Sequence, residues 1–176
     1  TVQQQLPFSF ANGHSAAVTL YSGSEIGGIA GRIDTLFINV LTANTSGASI
    51  PVKIWLKNVP DTDRISNAAI TLNWDNLKST SQLILDEDMT FDQTGWLAIP
   101  IPGGFDYTGG AIYMLTEHNC GDASCAVNYG VNPLPVFQNT SIQKKVVTKA
   151  QNADITGSVS FALATNRINT RFKFNY

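Results

Sequence analysis

Charge is scarce in this chain. Only 14% of its 176 residues are Asp, Glu, Lys or Arg, against roughly 25% in an average domain. The formal net charge is −2, and no run of cations is longer than Lys144-Lys145. Nucleic-acid binding needs a clustered positive footprint, so no nucleic-acid partner is expected. No apolar run approaches the roughly 18 residues of a membrane-crossing helix, and no membrane span is expected either. Histidine is limited to His14 and His118, and no Gly-x-Ser-x-Gly elbow occurs; a Ser-His-Asp hydrolase needs a positioned histidine beside its nucleophile. Glutamate is limited to Glu25, Glu87 and Glu117, and most of the ten aspartates lie in turn-like sequence. Asp is favoured there because its side chain bonds the local backbone, so no pair stands out as the two carboxyls of a glycosidase. The expectation is a protein that is not an enzyme.

A sustained helical period is also missing. The one local helix signal is Ser22-Gly23-Ser24-Glu25, with Ser three residues before Glu as in a capping box; Gly27-Gly28 then limits it to about one turn. The missing charge is replaced by 17 Thr, 13 Ser and 15 Asn, short polar residues suited to exposed strand faces and turns. In Thr94–Leu115, Trp96, Ala98 and Pro100 alternate with Leu97, Ile99 and Ile101, a period of two that marks a two-faced strand. Gly103-Gly104 reads as a crossing, Tyr107-Thr108-Gly109-Gly110 as a turn, and Ala111–Leu115 as the return strand. Further strands are predicted near Val18–Tyr21, Arg32–Leu41, Val52–Lys57, Leu83–Leu85, Ala126–Tyr129, Lys145–Thr148, Ile155–Leu163 and Thr170–Phe174. Ile65–Leu77 reads either as an alternating strand or as a turn around Asn73–Asn76. Many short strands between regular turn signals predict an all-β, antiparallel β-sandwich. The length suits a single module over 1–176. With Thr1 at its start and no visible signal peptide, the chain is expected to be a piece of a larger secreted protein.

Two cysteines lie close together in Cys120-Gly121-Asp122-Ala123-Ser124-Cys125. They can close a small disulfide loop or stay as free thiols; zinc would need further soft ligands, and only His14 and His118 remain. A Cys120–Cys125 disulfide is the prediction, and it implies an oxidising compartment. Calcium needs several hard oxygen ligands. Asp86, Glu87 and Asp88, with Asp92 nearby, form one candidate cluster, and Asp61 with Asp63 another. Neither has EF-hand spacing, so a structural calcium and solvated turn carboxylates are both open. Among aromatics, Trp96 reads as core and Trp74 as a loop anchor. Trp55 shares a strand face with Lys53 and Lys57, which suits a half-exposed residue or a binding platform. Tyr129 is the other exposed candidate, with Asn128 and Asp122 as hydrogen-bonding neighbours.

One series of motifs runs through nearly the whole chain. Leu20-Tyr21-Ser22-Gly23-Ser24-Glu25-Ile26-Gly27-Gly28 is followed by Gly31-Arg32-Ile33, Pro51-Val52-Lys53-Ile54-Trp55-Leu56 and Gly95-Trp96-Leu97-Ala98-Ile99. Phe105-Asp106-Tyr107-Thr108-Gly109-Gly110 and Arg167-Ile168-Asn169-Thr170-Arg171-Phe172 complete it. The series resembles the jelly-roll modules of secreted Bacteroidetes surface proteins, and is similar to the adhesin domains attached to gingipain-type proteases. The resemblance implies a jelly-roll, galactose-binding-like sandwich at the cell surface or outside the cell. It further implies neighbouring domains, adhesion or glycan attachment, and sometimes calcium. The matched motifs are structural, and none is a ligand motif; the Cys120–Cys125 loop lies outside them, on a surface loop where binding features are readily added. The functional expectation is a noncatalytic binding or adhesion module for a polysaccharide or glycoprotein glycan, with Trp55 and Tyr129 as platform. The alternatives are a structural spacer of a surface protein and a small hydrolase.

Overall fold

The computed structural model describes residues 6–65 and 69–175. Strands take 58% and helices 9% of these, so the class is all-β. In chain order the elements are β1 (His14–Tyr21), α1 (Gly23–Ile26), β2 (Gly31–Thr42), β3 (Ile50–Val59), β4 (Ala69–Asn73), α2 (Trp74–Ser79) and β5 (Gln82–Met89). Then follow β6 (Gly95–Tyr107), β7 (Ala111–Asn119), α3 (Cys125–Tyr129), β8 (Val136–Phe137), β9 (Asn139–Gln151), β10 (Ser158–Ile168) and β11 (Thr170–Asn175). Among the described residues all strand pairs are antiparallel, in two sheets: β4-β10-β9-β1-β7-β3-β5 and β11-β2-β6, with β8 added to the end of β2. The sheets curl and pack face to face as a β-sandwich. No helix among the described residues is long and apolar enough to cross a membrane.

Three local expectations need correction. Gly103 and Gly104 do not end a strand. Both have positive φ (78° and 71°), which glycine adopts without a Cβ penalty, and they let a bulge form within the long β6, where β2 steps from Ile33 to Thr35 while β6 steps from Phe105 to Pro100. Nor does Ala111–Leu115 return alongside β6: β7 joins the other sheet, between β1 and β3. Ala126–Tyr129 belongs to a helical turn, α3. Ser124 accepts the Val127 and Asn128 backbone N–H groups, and Gly130 closes the turn in the left-handed region, the ordinary Ser-start and Gly-stop chemistry of a short helix. In the Ile65–Leu77 segment both readings hold in part: Ala69–Asn73 is a strand, Asn73 caps α2 by accepting from Asn76 N–H at 3.0 Å, and residues 66–68 lie outside the described residues.

The centre of the seven-stranded sheet is buried on both faces, while β4 and β10 at one edge leave Thr71, Ser160 and Ala162 exposed. One face meets the smaller sheet through Ile33, Leu36 and Ile38 of β2, Val52 and Ile54 of β3, and Ile99 and Ile101 of β6, with Phe8, Phe10, Phe91 and Phe137 filling one end. The other face carries a second core of Ala16, Val18, Leu20, Trp55, Leu115, Val147 and Phe161, covered by Trp74 at the start of α2. All eight residues of β1 are therefore buried, which accounts for the small Ala16 and Ala17 at its crowded centre.

His118 at the end of β7 sits in the phenylalanine cluster, 5.0 Å from the Phe10 ring. Its Nε2 lies 3.0 Å from the Asn12 carbonyl and its Nδ1 2.6 Å from Ser15 Oγ, a pattern that fits a neutral ring donating from Nε2–H and accepting at Nδ1. Burial pushes its pKa down to about 4, against the opposing pull of the Asn12 carbonyl. The unfolded chain binds this proton from about pH 6.5 downward and the folded one only near 4. Stability on the order of 3 kcal/mol is therefore lost as pH falls through that window. An NMR titration of the His118 ring should show a midpoint near 4; a midpoint above 6 would reject this account.

The loop before β1 is pressed against the cysteine loop. Cys120 N–H donates to the Gly13 carbonyl at 2.6 Å, and a Cβ on Gly13 would stand 1.8 Å from the Gly121 carbonyl oxygen. A backbone atom cannot swing away, so Gly13→Ala should cost about 1–3 kcal/mol, as overpacked sites do. Urea unfolding of the purified variant measures this; an unchanged midpoint would show that the two loops part freely.

Candidate functional site

The chain leaves the large sheet at Ile168 and enters the small one at Thr170, so Arg167–Phe172 straps the two sheets together. A groove of about 490 Å³ opens along this strap. Arg167, Asn169, Thr170 and Arg171 line it together with Tyr21, Glu25, Trp96 and Thr140.

Its inner wall is an ion cluster. Arg167 grips Glu25 with two bonds, Nη1 to Oε2 at 3.0 Å and Nη2 to Oε1 at 2.9 Å, a bidentate geometry that adds direction to strength. Lys145 Nζ reaches the same Oε2 at 2.7 Å, and Ser22 donates to it from both N–H and Oγ at 2.9 Å. Burial pushes the Glu25 pKa up, but the bonds from Arg167, Lys145 and Ser22 outweigh it and hold the carboxyl well below the usual range. The Arg167 guanidinium lies 4.7 Å from the centre of the Tyr21 ring. Tyr21 in turn bonds Thr170 Oγ1 at 2.5 Å and meets Phe172 edge-on, and burial raises its pKa.

The outer wall is a stacked pair. Trp96 is opposite Asn39 and Arg171 is opposite Phe37, so the two reach each other diagonally across β2. The Arg171 guanidinium carbon is 3.9 Å from the centre of the Trp96 ring, and Trp96 is still 36% exposed. Its placement in the core is thus corrected: Leu97, Ile99 and Ile101 take the buried face of β6 and leave Trp96, Ala98 and Pro100 outside. Between the walls, Thr140 Oγ1 donates to Asn169 Oδ1 at 2.6 Å, which places hydroxyl and amide groups on the groove.

The residues expected to form a site are scattered. Trp55 is only 7% exposed; its strand face is covered by α2, with the Trp74 ring 6.3 Å away and Lys78 over both rings. It is a core residue and not a platform. Tyr129 is 44% exposed on the cysteine loop, beside Val127 at 73%. Asn128 donates to the Cys120 carbonyl at 2.7 Å and to Asp122 Oδ1 at 3.2 Å, so both polar neighbours hold the loop shape. Cys120 and Cys125 form the disulfide. Their sulfurs lie within 4.8 Å of a His118 nitrogen, but sulfurs bonded to each other are not thiolate ligands.

Asp86, Glu87 and Asp88 follow one another along β5 and alternate in direction, and Asp86 pairs with Lys53 at 3.1 Å. Asp61 accepts from the Gly23 N–H at 2.8 Å, and Asp63 is exposed. Among the described residues, neither set gathers three ligand atoms within 4.8 Å. Reasoning from sequence missed Trp96 and Arg171 as neighbours, because their meeting depends on β2 lying between β6 and β11. The available signal was the weaker hydrophobicity of the Trp96-Ala98-Pro100 face.

Comparison with known proteins adds little. No family model and no curated protein matches the chain. Among solved structures, that of the cysteine protease and lectin-like domains of Cwp84, a surface layer associated protein of Clostridium difficile, is similar with a TM-score of 0.48 and 8% identity. The match covers 91% of this chain and 32% of that one. The comparisons give no link to Bacteroidetes surface proteins or to gingipain-type adhesin domains.

Replacing Glu25 by Gln would leave Lys145 and Arg167, whose side chains are 11% and 15% exposed, without their counter-ion. Breaking a largely buried pair from one side is costly, and partial exposure of Glu25 reduces the penalty, so Glu25→Gln should lose on the order of 2–3 kcal/mol by chemical denaturation at pH 7. The same depressed carboxyl contributes stability above about pH 4.5 that fades as pH falls and Glu25 takes up its proton. The variant should lack this acid-sensitive part; equal stability of the two proteins at pH 7 would refute it.

Proposed function

We propose that this chain is a noncatalytic binding module of an exported surface protein, and that its ligand is a glycan held in the groove between Trp96 and Arg167. The observation that carries the reading is the half-open Trp96–Arg171 stack standing over hydroxyl and amide groups. Sugars present apolar ring faces and many hydroxyls, so they suit a site with an aromatic wall and a few placed polar groups. The surrounding surface, poor in charge and rich in Thr, Ser and Asn, suits the same kind of ligand. The disulfide supports an oxidising, extracytoplasmic setting, and the motif series resembling exported adhesin modules points the same way. His118 is buried and committed to Asn12 and Ser15, which favours binding over acid-base turnover.

Glycan-array and polysaccharide pull-down assays test the reading, with wild type beside Trp96→Ala and Tyr129→Ala. The expected result is retention by wild type, a loss of at least about tenfold in Trp96→Ala, equivalent to 1.4 kcal/mol, and no loss in Tyr129→Ala. Loss in Tyr129→Ala alone would move the site to the cysteine loop, where Val127 and Tyr129 are exposed. A folded wild type that retains no glycan would leave the spacer role.

A further inference from the structure

We propose that the groove selects sugars that carry a carboxylate, such as uronic acids, and that Arg171 is the residue that reads it. This deepens the glycan reading and rests on it. Most cations of the chain near this face are already spoken for: Lys173 on the same strand lies 3.5 Å from Asp34, and Arg167 and Lys145 share Glu25. Arg171 differs. Among the described residues no carboxylate lies within ion-pair distance of it, and its described partner is the Trp96 ring at 3.9 Å. Stacking on an aromatic face fixes the plane of a guanidinium while leaving its N–H edge free. That edge is a planar fork of donors, the match for a carboxylate taken in two parallel hydrogen bonds.

The charge around the groove agrees. Among the residues lining the groove, Arg167 and Arg171 stand against the carboxylate of Glu25, an excess of one positive charge in a chain whose formal net charge is −2, and Lys145 backs Glu25 with a further cation. Thr140 and Asn169 line the same groove, within reach of the hydroxyls of a sugar whose carboxylate sits on Arg171. A volume of about 490 Å³ is in the range of small-ligand sites and holds a short piece of a chain rather than a broad polyanionic surface.

The test compares polygalacturonate with the same polymer after reduction of its carboxyls to alcohols, in affinity electrophoresis with chelator present. Wild type, Arg171→Gln and Arg171→Lys are run in parallel. Wild type should bind the acidic polymer at least tenfold more tightly than the reduced one. Arg171→Gln should lose that preference, binding the acidic and the reduced polymer equally, and Arg171→Lys, which keeps the charge without the fork, should recover little of it. Equal binding of the two polymers by wild type would overturn the carboxylate proposal and leave the glycan reading standing. Wild-type affinity in Arg171→Lys would also overturn it, since charge alone would then suffice. Binding of neither polymer, nor of any glycan on the array, would remove both.

Discussion

The ion cluster at Glu25 is the contact on which the geometry of the groove depends. The carboxylate of Glu25 on α1 receives donors from Ser22 just before α1, from Lys145 on β9 and from Arg167 on β10. These three elements meet where the chain turns from the large sheet into the small one. Arg167 also donates to the Leu20 carbonyl at 3.0 Å and covers Tyr21, so the end of β1 is held in the same knot. Opposing desolvation and charge-assisted bonding make such a cluster a modest source of net stability but a strong source of direction. Its effect is to fix where Thr170 begins β11, and therefore where Arg171 points.

How far the fold was legible follows from which residues speak locally. Leu97, Ile99 and Ile101, and Val52, Ile54 and Leu56, announce their strands through period two alone, and Ser22 with Glu25 announces α1 through spacing. The cysteine pair could be read because five residues of separation leave few other partners. Sheet membership was not local information. Nothing in Ala111–Leu115 says that β7 pairs with β1 and β3 rather than with β6, because hairpin adjacency is a tendency and not a rule. Trp55 was misjudged for a related reason: its face looked exposed from its lysine neighbours, yet α2 folds over it from twenty residues away. Long lysine side chains tolerate such cover by lying along apolar surface with the charge at the rim, as Lys78 does over Trp55 and Trp74.

The uneven division into seven and four strands has a consequence for where a site can form. The large sheet is covered on both sides at its centre, by the small sheet on one and by the second core under α2 on the other, and opens to solvent toward β4 and β10, at Thr71, Ser160 and Ala162. The small sheet keeps one solvent-facing side and an unpaired edge on β11. The groove proposed above as the ligand site lies at the corner of the small sheet, with Trp96 and Arg171 in its lining. The central core contacts lie elsewhere, in the phenylalanine cluster and along β1, so changes of residue on the outer wall leave them intact.

Arg171 and Lys173 also answer a problem that any exposed edge strand raises. Charges on an edge discourage pairing with another chain, and both residues serve that purpose on β11. Edge protection alone does not explain the difference between them. A long cation guards an edge best while mobile, and Lys173, 63% exposed on its side chain, is close to that condition. Arg171 instead gives up rotamer freedom worth up to about 2 kcal/mol to lie flat on Trp96. Immobilising a donor fork in advance lowers the cost of ordering it when a ligand arrives, and it is this preorganisation, rather than the charge itself, that separates a recognition residue from a gatekeeper on the same strand.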